Sequence, residues 1–223
     1  MRQSLKRTKK TNKMSSVKPI LAIAIIFLMG FSSDKEIKKS TKMVKSKELS
    51  VAYFASGCFW CVESIYETVN GVGEVINGYA GGHTTNPTYE TTSTGKTGHA
   101  ETVAVYYDAS IVDFKTLVEV FFGSHDPTTK NGQYPDFGSQ YRSIAFYKTT
   151  LEKEIILSVI KRLNKEVYNG KIVTEVTEFT TFYKAEDYHQ NYKRLHPDNP
   201  YVQRISIPRL NRFKSSFPDI LKK

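Results

Sequence analysis

Cysteine and tryptophan are the scarcest signals in this 223-residue chain, with two of the first and one of the second. Both cysteines stand in one short stretch, Cys58-Phe59-Trp60-Cys61, and none follows it. A disulfide framework of the kind that staples small secreted modules is therefore excluded, because such frameworks tie distant parts of a chain together. A Cys58–Cys61 bond closes too small a loop to restrict the unfolded chain. Long apolar runs are also rare. The run Pro19–Phe31 (PILAIAIIFLMGF) is shorter than the roughly 20 apolar residues needed to cross a bilayer. Internal repeats are absent, and so is a basic or amphipathic stripe of the sort that binds nucleic acid.

The formal charge of +10 does not supply one. Seven Lys/Arg and no acid lie in Met1–Lys18, and removing them leaves 25 Lys/Arg against 22 Asp/Glu, or +3. A basic start, the apolar run and the small residues Gly30 and Ser32 have the layout of a secretory leader. Residues 1–32 are thus read as a signal peptide cleaved before Ser33, which places the protein outside the cytoplasm. If the leader stays uncleaved it becomes a membrane anchor, and initiation at Met14 would shorten it. No cysteine follows the apolar core, so a lipid anchor is not expected. Residues 33–48, rich in Lys, Glu and Ser, are read as a flexible linker. Residues 49–223 are read as one domain, long enough to bury a core without cross-links.

Within that domain Val51–Ala55 predicts a strand. Val62, Ile65, Tyr66 and Val69 recur at helical spacing and stop at Asn70-Gly71. VGEVINGY and Glu101–Tyr107 read as strands, Asp113 as the cap of a helix carrying Leu117, Val118, Val120 and Phe121, and Ser143–Tyr147 as a fourth strand. The order strand–helix–strand–strand–helix–strand predicts an α+β fold, the ferredoxin-like split-βαβ two-layer sandwich. Thr149 and Glu152 open a third helix with a capping-box pattern. KIVTEVT reads as a further strand, and AEDYHQNYKRLH as a short helix before a proline-punctuated tail. Residues 80–100 and 125–140 are too polar and glycine-rich for simple turns, and long loops of this kind usually carry function.

Cys58 falls where the first strand gives way to the first helix. Unpaired backbone N–H groups and the helix dipole favour thiolate there, so Cys58 is the expected nucleophile. Cys61, one turn on, is near enough to close a disulfide with it and is the expected resolving thiol. Two buried, inert cysteines are the plainer alternative. Phe59 and Trp60 have the bulk to wall an apolar pocket.

Seven segments in order carry a resemblance: GCFWC at 57–61, GYAGG at 78–82, NPTYE at 86–90, TGHAE at 97–101, HDPT at 125–128, DFGSQYRS at 136–143 and AEDYHQNY at 185–192. Together they resemble the A-type peptide methionine sulfoxide reductases, over about Val51 to His196. The resemblance implies that Cys58 attacks the sulfoxide sulfur and that Glu101 is the general acid. It implies that Tyr89 and Tyr141 hydrogen-bond the sulfoxide oxygen, that Asp136 supports the polar network, and that Phe59 and Trp60 receive the S-methyl group. A carboxyl in such an apolar site should have a raised pKa. Many members keep a resolving cysteine near the C-terminus. This chain does not, which leaves Cys61, as in the subgroup with a second cysteine in the motif.

No bound cofactor is implied. The electron donor would be a thioredoxin-like dithiol, the substrate free or protein-bound methionine sulfoxide in its S epimer, and the chain is read as a monomer. Two other readings compete. A thioredoxin-like oxidoreductase also uses Cys-x-x-Cys, but gives no role to Glu101 and the two tyrosines. A zinc module would draw on the two cysteines and on His83, His99, His125, His189 or His196.

Overall fold

Period-two alternation decides which side of each strand faces the helices. In a computed structural model, which describes residues 49–223, strand β1 (Ser50–Ser56) is followed by helix α1 (Phe59–Tyr66), then β2 (Val72–Ala80), a short α2 (Tyr89–Ser93) and β3 (Ala100–Tyr107). Helix α3 (Phe114–Gly123) leads to a hairpin of two-residue strands, β4 (Gly132–Gln133) and β5 (Asp136–Phe137), and then to β6 (Ser143–Tyr147). Beyond it come α4 (Thr150–Leu163), β7 (Glu175–Glu178), β8 (Phe182–Lys184), α5 (Tyr192–Leu195) and α6 (Ile207–Ser216). The expected leader, 1–32, and linker, 33–48, lie outside the described residues.

The main sheet has the order β7-β6-β1-β3-β2-β8. Its four inner strands pair antiparallel, with α1 and α3 as the two crossovers, and this is the expected split-βαβ arrangement. At the edges β7 pairs parallel with β6, and β8 antiparallel with β2. Ala52 and Phe54 of β1 and Val103, Val105 and Tyr107 of β3 bury their side chains in the core that holds Val62, Ile65 and Tyr66 of α1 and Leu117, Val118 and Phe121 of α3. Phe54 stacks on Tyr66 and Phe121, each with centroids 5.3 Å apart. Fully buried side chains of this size each contribute about 1.5–3 kcal/mol by leaving water. The Tyr66 hydroxyl donates to the Leu117 carbonyl at 2.9 Å, tying α1 to α3. A smaller apolar cluster on Ala55, Ala80, Ala100, Ile144 and Phe146 is joined by Tyr53, which stacks on Phe179 at 3.8 Å.

Local caps form where the residue types call for them. Asp113 accepts the Thr116 N–H at 2.7 Å, and Thr149 accepts that of Glu152 at 3.2 Å. The stretch 185–196 departs from expectation. It is a 3₁₀ turn (Asp187–His189), a left-handed Asn191 and a single turn of α5, not one helix. Tertiary partners replace helical ones there. The Asn191 N–H goes to Glu63 Oε1 at 2.7 Å, and the Gln190 amide bonds the backbone N–H and carbonyl of Asn77. The tail is also more than punctuation. Helix α6 buries Leu210 and Phe213 in the main core, and the last residues are pinned to the turn between α1 and β2 by Asn70 N–H to the Ile220 carbonyl, 2.8 Å.

Candidate active site

Cys58 is the N-cap of α1, and its carbonyl accepts the N–H groups of Cys61 and Val62 at 3.1 and 3.3 Å. Gly57, just before it, has φ +85°, and a Cβ there would stand 2.7 Å from Gln133 Cβ. Glycine is thus needed both for the turn and for the close approach of the β4–β5 hairpin. Glu101 shares strand parity with Val103 and Val105, so it points at the start of α1. There its Oε2 accepts the Phe59 N–H at 2.9 Å.

The eight residues singled out in the sequence converge. Cys58, Phe59, Trp60, Tyr89, Glu101, Asp136 and Tyr141 line one cavity of about 120 Å³, and Cys61 lies directly behind Cys58, hydrogen-bonded to it. An eighth wall residue, Tyr201, comes from the tail and belongs to none of the seven motifs. Its hydroxyl donates to Asp136 Oδ2, and it lowers the pKa of both cysteines beside it. Tyr89 arrives on the first turn of α2, capped by Thr88, and Tyr141 on a 3₁₀ turn at Ser139–Tyr141.

Burial sets the protonation of this chamber. It lifts Glu101 to about 8, against the pull of the Phe59 N–H, with Asp136 and Cys61 adding to the rise. The carboxyl is therefore a proton donor at neutral pH. Burial also raises the phenols of Tyr89, Tyr141 and Tyr201, which remain neutral donors.

The expected thiolate at Cys58 needs correction. Desolvation pushes the Cys58 thiol well up, and its hydrogen bond with Cys61 and the nearby Glu101 carboxyl push the same way. The dipole of a helix that begins in an apolar chamber is outweighed by loss of water. Cys61 is held down instead, first by the hydrogen bond from Cys58 and then, against burial, by the charge of Arg209 and the hydroxyls of Ser206 and Tyr201.

Trp60 is fixed from both sides. Its ring stacks on Tyr192 at 3.7 Å and 6°, and its Nε1–H donates to His189 Nδ1 at 3.2 Å. His189 is 1% exposed, and burial lowers its pKa, so it is neutral with its proton on Nε2. It also packs against Phe59 and Tyr89, with centroids 4.9 and 4.5 Å away. Glu186 joins the wall to the sheet, accepting the Tyr89 N–H at 2.9 Å and the Tyr79 hydroxyl at 2.8 Å. His189 and Glu186 lie in a motif legible in the sequence, whereas Tyr201, Ser206 and Arg209 follow it with no local signal. Among the described residues no group of three or more His, Cys, Asp or Glu side chains is placed to hold a metal. His99 and His125 are engaged with backbone and hydroxyl groups instead.

Comparison with known proteins agrees with this geometry. Residues 50–220 match the family model described as peptide methionine sulfoxide reductase. The peptide methionine sulfoxide reductase MsrA of Saccharolobus solfataricus is 44% identical over 174 residues, 78% of this chain and 98% of that protein. That of Trichodesmium erythraeum is 45% identical over 172 residues, 77% and 97% of the two chains. Among solved structures, reduced Mxr1 from Saccharomyces cerevisiae superposes with a TM-score of 0.64 at 31% identity, covering 68% of this chain and 88% of that one. Methionine sulfoxide reductase A of Corynebacterium diphtheriae gives 0.61 at 35%, covering 69% and 77%. With its fold, its site and its relatives in agreement, the chain belongs to the peptide methionine sulfoxide reductase family.

Proposed function

We propose that the chain reduces the S epimer of methionine sulfoxide, free or in oxidised proteins, to methionine, and that it is recycled by a thioredoxin-like dithiol. The observation that carries this is the convergence of one thiol, one protonated carboxyl, three phenols and two apolar rings on a single small cavity. At about 120 Å³ the cavity is well below the roughly 300–1,000 Å³ of drug-sized sites, and suits the end of one side chain. The S-methyl group packs against Phe59 and Trp60, and the oxygen takes hydrogen bonds from Tyr89 and Tyr141, whose neutral hydroxyls stabilise developing negative charge. Cys58 gives its proton to Cys61 along their hydrogen bond and attacks sulfur while Glu101 protonates the oxygen. The proton held by Cys61 then passes back to Glu101. Net, thiol and sulfoxide become sulfenic acid and thioether.

A sulfenic acid condenses readily with a thiol beside it. Cys61 is that thiol, which fits the subgroup whose motif carries both cysteines. The resulting disulfide takes two electrons from a dithiol protein, and no bound cofactor enters the cycle. Export by residues 1–32 belongs to the same proposal and calls for an extracytoplasmic donor. The N-terminal residue of the secreted protein tests it, Ser33 being expected.

The deciding experiment is a stereospecific assay on the two sulfoxide epimers, with and without a thioredoxin system. Wild type should release one methionine per enzyme unaided and turn over with the dithiol. Cys58→Ser should lose at least about 10⁴-fold in both, as nucleophile removal does elsewhere. Cys61→Ser should keep the first turnover and lose thioredoxin-driven cycling. Reduction of neither epimer by the wild type would refute the proposal.

A further inference from the structure

Cys61 is not only near Cys58; it is enclosed by the C-terminal segment. Its Sγ lies 3.1 Å from Ser206 Oγ, at the turn that leads into α6. Three residues on, Arg209 turns its guanidinium inward, with Nε donating to the Ser124 carbonyl at 2.7 Å and Nη2 to the Ser56 carbonyl at 2.9 Å. These bonds anchor the cation against the end of β1, immediately before the helix that carries both cysteines. The other ionisable groups acting on Cys61 are Cys58, Tyr201, Glu101 and Lys193. The two cysteines also differ in place: both are buried, but Cys58 lines the cavity and Cys61 does not.

We infer that Arg209 and Ser206 are positioning residues for Cys61, holding its sulfur as the thiolate that resolves the sulfenic acid and as the leaving group when the reductant attacks Cys58. The inference rests on the proposed reductase cycle and adds a direction to it. In the first step the Cys61 thiolate attacks Cys58 Sγ. The S–S bond forms, the S–O bond breaks, and the departing hydroxide leaves as water with a proton from Glu101. In the second step a thiolate of the dithiol protein attacks the Sγ of Cys58, the cysteine that lines the cavity. The S–S bond breaks and its electron pair goes to Cys61, where Arg209 and Ser206 receive the charge. The second thiol of the reductant then frees Cys58, and the dithiol is oxidised to its own disulfide. A leaving thiol that is the better anion departs faster, which gives the arrangement its kinetic advantage.

The test separates the two chemical steps. Reduced enzyme is mixed with excess methionine sulfoxide without reductant and quenched at intervals, and both released methionine and the Cys58–Cys61 disulfide are measured by mass. Arg209→Met should slow disulfide formation about tenfold relative to methionine release, and Ser206→Ala by a smaller factor, as expected for a less stabilised attacking anion. Arg209→Lys should recover most of the loss, which a purely structural role would not predict; circular dichroism checks that each variant is folded. A dithiol protein with its second cysteine changed to serine should be trapped on Cys58. An unchanged ratio of the two steps in both variants, a lysine variant no better than methionine, or trapping on Cys61 would overturn the inference. Absence of methionine from the wild type would instead refute the reductase reading itself.

Discussion

The first turn of α1 separates two environments that treat the same functional group in opposite ways. On the cavity side, Cys58 and Glu101 are enclosed by Phe59 and Trp60, and burial holds both in their protonated forms. On the far side, Cys61 meets Ser206, Tyr201 and Arg209, which favour its anion. Three residues of sequence thus hold two sulfurs of different character. The difference does not come from the helix dipole, which acts on both, but from what packs against each face. A Cys-x-x-Cys motif fixes the proximity of two thiols, while their tertiary neighbours set the protonation of each.

The largest expected break in this contrast comes from Glu101→Gln. It removes the proton donor while keeping the shape, and should lower kcat by about 10²–10⁴-fold, the usual worth of a positioned acid. The wild-type rate should fall as pH rises through about 8, where Glu101 ionises, and the variant should lack that limb. A pH profile that is identical in both would remove Glu101 from the acid role.

A smaller effect comes from the same helix one turn later. Glu63 is 1% exposed, accepts the Asn191 N–H, and is pushed by burial to about 7. Its folded pKa lies above its unfolded one, so its contribution to stability is complete below about 4.5 and lost as pH rises through about 7. Glu101 adds a loss of the same sign up to about 8. The melting temperature should therefore fall between about pH 5 and 8. Glu63→Gln should flatten that fall by an amount on the order of 3 kcal/mol in unfolding free energy. A variant with the wild-type slope in thermal denaturation would show that Glu63 is already ionised in the folded chain.

The smallest is Tyr201→Phe, which touches both sides at once. Loss of its hydroxyl removes the one hydrogen bond to Asp136 and a polar neighbour of both sulfurs. At about 1 kcal/mol per bond, turnover should drop by roughly five- to tenfold. A drop confined to methionine release or confined to disulfide formation would sharpen the comparison by placing Tyr201 on one side of it.

Much of the site is legible in the order of residues because its signals are local. Alternation along Glu101–Tyr107 places Glu101 on the helix-facing side of β3, and the strand-to-helix junction at Gly57-Cys58 marks the cap. The motifs in the two long loops point to Tyr89, Asp136 and Tyr141. Neither β8 nor the β4–β5 hairpin can be read that way, since strands of three and two residues are too short to show a period. The break at Asn191 has no local signature either, because Glu63 and Asn77, more than a hundred residues away, dictate it.

By itself, then, the order of residues determined the four inner strands, their two crossover helices and the closeness of the two sulfurs. Hydrophobic period and caps act within a few residues, so they can be read along the chain. Only the tertiary structure decided which sulfur is the better anion. That depends on water excluded from one face of α1 and on a serine and an arginine brought to the other from some 150 residues downstream.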